Sequence, residues 1–301
     1  MYNNLPSYFV LSIKVVFKTP PMITKGITFI LLATLSFAIM NVMAKDLSEL
    51  PAMQIVFFRT FGSFIFIFPY MLYHKISLKG NNVGFLFLRG LVGVISLSTF
   101  FLAIQRIPLG SAISIRYLGP IFGAILAYYF LKEKINIWQW FSFAIAFSGV
   151  LVLKGFDLRI DYVSLGLILI SALFVGMVFV LIRYLGSKEH YLTIIFYFMS
   201  ISILVSLLFY NSFRMPLESE WGSVIGIGIF GLIGQIFMTR AFQLEETSVL
   251  APFKYMELVY ALILGFFIFG ETYSWLPFSG ILLIISGMIM NVKAKSLIPK
   301  N

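Results

Sequence analysis

The chain has 301 residues, of which 60% are hydrophobic and 11% charged, and its mean hydropathy is +0.98. One soluble core cannot bury so much apolar surface, so composition places the protein in a membrane. The absence of cysteine excludes disulfides and thiolate metal sites. The net charge of +10 does not indicate nucleic-acid binding, because the basic residues lie singly at the ends of apolar runs.

Residues 1–23 are predicted to be an N-terminal leader or tail. Their apolar run YFVLSIKVVF contains Lys14 and is closed by two prolines, and it is shorter than the roughly 20 residues that a membrane-spanning helix needs. It also lacks the small-residue cleavage site of a signal peptide. Met1 and Met22 remain alternative starts of translation.

Ten apolar runs of about membrane-spanning length follow, and they are too long and too irregular in alternation for strands. They are residues 26–44, 52–73, 83–105, 109–131, 136–153, 163–183, 191–210, 221–243, 247–269 and 274–292. The loops between them leave no room for a soluble domain. The sequence therefore predicts an all-α integral membrane protein with ten transmembrane helices.

The distribution of Lys and Arg predicts the orientation of these helices. With both termini in the cytoplasm, thirteen basic residues fall on the cytoplasmic side and five on the opposite side. Basic residues favour the cytoplasmic side of a membrane. We therefore expect a multi-pass protein with both termini cytoplasmic.

An internal repeat appears when the chain is aligned with itself so that Gly84 falls on Gly222, which places the third to fifth spans on the eighth to tenth without a gap. In this repeat alignment ten identities fall within residues 84–149, including Glu133 with Glu271 and Tyr117 with Tyr255. The predicted units are 24–155 and 162–292, with a tail at 293–301. Because each unit has five spans, the second must insert upside down, an arrangement typical of transporters. Duplication retained only for packing is the alternative.

Two segments carry a resemblance to a known family: SAISIRYLGPIFGAILAYYFLKEKINIWQWFSFAIAFSGVLVL at 111–153 and SVLAPFKYMELVYALILGFFIFGETYSWLPFSGILLIISGMIM at 248–290. The chain resembles the drug/metabolite transporter superfamily, specifically bacterial carriers with two EamA-type domains. The resemblance implies transport across the bacterial inner membrane, with a bias toward export. One departure is Lys132, which stands where the family commonly has glycine before the glutamate.

Four basic residues lie inside spans, where a charge costs from about 2.5 to over 10 kcal/mol and normally faces protein or a wet cavity. They are Arg59, Arg89, Arg116 and Lys254. We expect Arg89 to be structural and to extend its side chain to the nearby cytoplasmic interface.

Arg116 and Lys254 are partners in the repeat, and each is followed by a tyrosine. Glu257 lies on the same helical face as Lys254 and is expected to neutralise it; a proton-coupling role for Glu257 is the alternative. We predict a net positive cavity that binds a carboxylate or phosphate. Pairing of the cations with backbone carbonyls or loop acids is the opposing interpretation. The predicted substrate-binding residues are Arg59, Arg116, Tyr117, Lys254, Tyr255 and Glu257.

Neutral residues in the spans give weaker predictions. Pro120 is expected to bend the fourth helix, whereas Pro252 lies near a helix start, where proline is tolerated. Asn41 and Gln235 fit either substrate contacts or hydrogen bonds between helices.

The sequence contains no Walker loop, no metal-ligand spacing around His74 or His190, and no catalytic constellation. We therefore predict neither enzymatic activity nor a cofactor or metal. The predicted function is secondary transport of a small metabolite, such as an amino acid or cofactor, by alternating access. The alternatives are an exporter of drugs or cationic compounds, and a membrane scaffold or sensor. The expected partners are the substrate and the lipid bilayer, without nucleic acid, and a homodimer is left open.

Overall fold

The computed structural model of the protein describes residues 24–47, 49–104, 106, 115–154, 161–269 and 275–296. These ranges are helical, with turns between the helices and no strand among them. The predicted leader at 1–23 lies outside the described residues.

Helices occur at all ten predicted positions, which confirms the predicted fold class. Seven helical segments are long and apolar enough to cross a membrane, and three shorter apolar helices lie at the remaining positions. The helices are α1 Lys25–Asp46, α2 Ala52–Tyr73, α3 Val83–Ile104, α4 Gly119–Leu126, α5 Ile137–Lys154, α6 Tyr162–Leu185, α7 Tyr191–Leu207, α8 Trp221–Leu244, α9 Met256–Phe269 and α10 Trp275–Ser296.

The fourth and ninth spans are interrupted at equivalent positions of the repeat. A turn at Tyr117 precedes α4, and Pro120 lies in the first turn of that helix. Helical residues lie on both sides of this turn, at 115–116 and in α4, and a residue without an amide donor fits best in a first turn. The bend predicted at Pro120 stays a prediction. In the ninth span a short helix, Thr247–Leu250, and a 3₁₀ segment, Ala251–Tyr255, precede α9. Paired interruptions of this kind mark binding sites in transporters with inverted repeats.

The packing of the helices has the two-fold pattern that an inverted repeat requires. Helix α1 packs against α8 and α9, and its repeat partner α6 packs against α3 and α4. Likewise α2 packs against α8, while α7 packs against α3. The contacts of α2 with α7 and of α5 with α10 join repeat partners directly. When the two halves are exchanged, each of these contacts therefore maps onto another of them or onto itself.

Glycines show the same symmetry where α5 crosses α10. A Cβ atom on Gly149 would lie 2.6 Å from the carbonyl oxygen of Gly280, and one on Gly287 would lie 2.7 Å from that of Ser142. The repeat alignment maps these two contacts onto each other. The backbones approach this closely because neither glycine has a side chain.

The start of α1 and the end of α10 lie at the same end of the bundle, which we call the terminal face. The side chain of Glu245 packs against Gly26, and Lys295 forms an ion pair with its neighbour Glu246. The opposite end is called the distal face. There, Arg214 binds Glu220, and Ser223 donates a hydrogen bond to Asp46 at 3.0 Å.

Candidate functional site

The interruptions of the fourth and ninth spans bring two predicted site residues together. Tyr117 and Tyr255 meet edge to face, with ring centroids 5.7 Å apart. Tyr255 is fully buried and Tyr117 half-buried. The repeat partners identified in the sequence are thus neighbours in space, at the contact between the two halves.

Lys254 lies in the 3₁₀ segment before α9 and is paired as predicted. Its Nζ donates to Oε2 of Glu257 at 2.8 Å, and the side chain is 11% exposed. The other carboxylate oxygen of Glu257 accepts a hydrogen bond from Nδ2 of Asn41 at 2.8 Å. Asn41 comes from α1, so it ties the first half to the ion pair of the second. Its contact is the interhelical hydrogen bond that was one of its two predicted roles.

Arg59 and Arg116 have no carboxylate within salt-bridge distance among the described residues. Their guanidinium groups instead lie over aromatic rings, Arg59 at 5.7 Å from the centre of Phe37 and Arg116 at 4.2 Å from that of Phe100. Both side chains are half-buried. The two arginines are close enough to repel each other, and Glu257 is close enough to attract both. Cation–π contacts of this kind contribute about 0.5–2 kcal/mol, which is less than the several kcal/mol that burying a charge costs.

Phe37 connects Arg59 to Lys254. The Nζ atom of Lys254 lies 4.8 Å from the ring centre of Phe37, the same ring that faces Arg59. The negative face of an aromatic ring accommodates cations without neutralising them. Arg59, Arg116 and Lys254 therefore form one cluster with a single carboxylate, Glu257, among them.

Arg89 does not occupy the interfacial position that the sequence suggested. Its side chain is only 1% exposed, and its Nη1 lies beside Gly93, one helical turn deeper in α3. The guanidinium stacks on Phe198 of α7 at 4.6 Å and is close enough to Arg59 to feel its charge. The expectation that Arg89 extends to the interface is wrong. Gly93 leaves room for the side chain to run toward the membrane centre.

Glu133 is a second residue whose position the sequence did not explain. Its two carboxylate oxygens accept hydrogen bonds from the backbone amides of Thr247 and Ser248, each at 2.9 Å. Amides at the start of a helix have no acceptor within the helix, and a carboxylate placed there also interacts favourably with the helix dipole. Glu133 thus anchors the segment that leads to Lys254. The motif contained this glutamate, but spacing alone gave no partner.

The arrangement can bind an anion more readily than it can perform chemistry. Three cations, Arg59, Arg116 and Lys254, surround one carboxylate, Glu257, which leaves two net positive charges in the cluster. Guanidinium groups bind carboxylates and phosphates through two parallel hydrogen bonds. Within the part of the chain that the structure describes, no group of three or more metal-ligating side chains occurs.

Comparison with known proteins identifies the family of this chain. The model of the EamA-like transporter family matches residues 24–154 and again residues 163–293. The chain belongs to the EamA-like transporter family. Membership of the drug/metabolite transporter superfamily, predicted from the two motif segments, is thereby confirmed, and this EamA-like protein is a multi-pass membrane protein.

Several transporters are similar to this EamA-like protein over most of their length. The pseudopaline exporter CntI of Pseudomonas aeruginosa is 31% identical, over 91% of this chain and 98% of the relative. The S-adenosylmethionine uptake transporter of Rickettsia prowazekii is 29% identical, over 82% and 85% respectively. Human solute carrier family 35 member G1 is 27% identical, over 90% and 80%. The family and these relatives are transporters.

A solved crystal structure also shares the fold. It aligns with a TM-score of 0.79 at 16% sequence identity, over 91% of this chain and 99% of the other. At that identity the likeness concerns the arrangement of the helices alone.

Proposed function

We propose that this chain is a secondary transporter that carries a small anionic or zwitterionic metabolite across a bacterial inner membrane by alternating access. One observation carries the proposal: Arg59 and Arg116 lie half-buried in the bundle, and no described carboxylate pairs with either. Charges at this depth are costly. An anionic group of the substrate would supply the missing partner.

Lys254 and Glu257 add a second recognition element beside the arginines. Their ion pair presents an ammonium and a carboxylate 2.8 Å apart, which matches the opposite charges of a zwitterion such as an amino acid. An exporter of cationic drugs would need a free carboxylate, whereas Glu257 is engaged by both Lys254 and Asn41. The contacts therefore favour an anionic or zwitterionic substrate over a cationic drug.

Alternating access is supported by the two-fold packing. The main helix contacts between the halves map onto one another when the halves are exchanged. A second conformation in which equivalent contacts replace each other would therefore open to the opposite side of the membrane. The proposed moving units are 24–155 and 162–292, with a tail at 293–301. The interrupted segments at Tyr117 and at Ala251–Tyr255 lie between these halves.

The orientation and direction of transport belong to the same proposal. The excess of basic residues at the terminal face supports cytoplasmic termini. Export is proposed from the resemblance to the pseudopaline exporter, although the relatives also include an uptake transporter.

The proposal is tested by screening amino acids, nucleotides, flavins and other cofactors for thermal stabilisation of the purified protein. A ligand that binds only the folded state raises the melting temperature. We expect the stabilising compounds to carry a carboxylate or phosphate, and to lose their effect when that group is converted to an amide or ester. Stabilisation by apolar cations alone would contradict the proposal.

A further inference from the structure

Arg89 is the most deeply buried cation of the described bundle, and two of its donor nitrogens lack acceptors. The side chain is 1% exposed, and among the described atoms neither Nε nor Nη1 has a hydrogen-bond partner. Its contacts are the ring of Phe198 and the backbone of Gly93. A buried, unpaired guanidinium destabilises a fold, and an apolar side chain of similar size would be more stable at the same place.

Arg89 and Arg59 lie against equivalent glycines, although the two arginines do not correspond in sequence. A Cβ atom on Gly231 would lie 3.5 Å from Nε of Arg59, and one on Gly93 would lie 2.7 Å from Nη1 of Arg89. Gly93 and Gly231 are partners in the repeat alignment. The two guanidiniums, both from the first half, thus lie against equivalent glycines of the two halves.

Each arginine also lies over an aromatic ring, although the two rings come from helices that are not repeat partners, α1 and α7. Arg59 faces Phe37, and Arg89 faces Phe198. The sequence hides the relationship, because the repeat alignment pairs Arg59 with a tyrosine and Arg89 with an isoleucine. Arg59 lies seven residues into α2, which begins at the distal face, and Arg89 lies six residues into α3, which begins at the terminal face. At 1.5 Å per residue, each is about 10 Å from its own face.

We propose that Arg89 forms a second anion-binding subsite opposite Arg59, and that the transported molecule accordingly carries at least two anionic groups. The inference rests on the proposed function, because it assigns a second anionic group to a substrate whose first lies at Arg59 and Arg116. Two guanidiniums that repel each other across the cluster are both neutralised by one molecule with two carboxylates. A monoanion would leave one of them unpaired.

The test measures dissociation constants for matched pairs of compounds in which one carboxylate is replaced by a carboxamide, such as glutamate with glutamine and aspartate with asparagine. The protein is the full chain, compared with Arg89→Met and with Lys79→Met, an exposed lysine at the terminal face. We expect the native protein to bind the dicarboxylate member at least about tenfold more tightly, which corresponds to about 1.4 kcal/mol. Arg89→Met should abolish this preference, and Lys79→Met should retain it.

Melting of the ligand-free variants separates a binding role from a structural one. Arg89→Met should melt at the same or a higher temperature than the native protein, because it removes an unpaired buried charge. A lower melting temperature with an unchanged dicarboxylate preference would overturn the inference and assign Arg89 to the fold. Equal affinity of the native protein for both members of each pair would overturn it as well.

Failure of this inference differs from failure of the proposed function. If Arg116→Gln binds every anion as the native protein does, the central anion site is wrong. A different outcome is that Arg116→Gln weakens the binding of both compounds of a pair while Arg89→Met changes the binding of neither. In that case the central site stands and only the second subsite is excluded.

Discussion

Glu133 holds the start of the ninth span through the backbone amide of Thr247, which donates to its Oε1 at 2.9 Å. The carboxylate, 8% exposed, comes from the end of the fourth span in the first half and binds the second half. The segment that follows Thr247 carries Lys254 and Glu257. The contact therefore links the two halves at the terminal face, close to the chain that positions the candidate site.

Substituting Glu133 with alanine should destabilise the protein. The change leaves the amides of Thr247 and Ser248 without their acceptors, and a buried unpaired donor costs about 1–3 kcal/mol. Glu133→Gln should lose less, because one oxygen remains as an acceptor. Denaturant unfolding in detergent measures both. Glu218→Ala, at an exposed position, is the control, and an equally small effect of both alanine variants would contradict the anchoring role.

Lys132 has a left-handed backbone with φ of 57°, at the position where the family commonly has glycine. Side chains other than glycine are strained in this conformation, so Lys132→Gly should raise the unfolding free energy by up to about 1 kcal/mol. The repeat partner of Lys132 is Gly270. Lys134→Gly is the matched control, since its φ is not positive. A loss of stability in Lys132→Gly as large as that in Lys134→Gly would argue against strain.

The crossing of α5 and α10 should not tolerate added side-chain atoms. Alanine at Gly149 or Gly287 would place a methyl group 2.6–2.7 Å from a backbone carbonyl oxygen, and such overpacking costs about 1–3 kcal/mol. Gly166→Ala is the control, because nothing lies within 4 Å of its added Cβ. Melting temperatures should fall for both crossing variants and not for the control. Tolerance at Gly287 combined with a loss at Gly149 would show that the crossing is not symmetric.

The ion pair of Lys254 and Glu257 should depend on both partners. Glu257→Gln leaves Lys254 buried without its counter-ion, and removal of one partner of a buried pair costs about 3–5 kcal/mol. The double variant Lys254→Met with Glu257→Gln should recover much of that stability, which unfolding measurements on the single and double variants would show. Equal destabilisation by the single and double variants would mean that the two side chains do not act as a pair.

Much of this architecture is readable from the sequence, because a bilayer imposes simple rules on length and polarity. The ten runs follow from the length of apolar segments alone, and the inverted repeat follows from aligning the chain with itself. The pairing of Lys254 with Glu257 also follows from local geometry, since residues three apart share a helical face. Each of these features depends on the residues of a single helix or on the constant spacing between the two repeats.

The remaining features depend on contacts between distant segments. Sequence alone misses the position of Arg89, because helix depth predicts distance from the interface but not side-chain direction, which Gly93 and Phe198 determine here. Sequence alone also does not show that a turn precedes Pro120. Arg59 and Arg89 lie against equivalent glycines, Gly231 and Gly93, but the repeat alignment does not pair the two arginines with each other.

The central claim is that unpaired arginines bind an anionic group of the substrate, and the affinity of Arg116→Gln tests it most directly. The dissociation constant of the most stabilising anionic compound from the screen would be measured for the native protein, for Arg116→Gln and for Arg106→Gln, an exposed arginine beyond α3. The account predicts a loss of about tenfold or more in Arg116→Gln, equivalent to about 1.4 kcal/mol, and no loss in Arg106→Gln. Unchanged affinity in Arg116→Gln would contradict it.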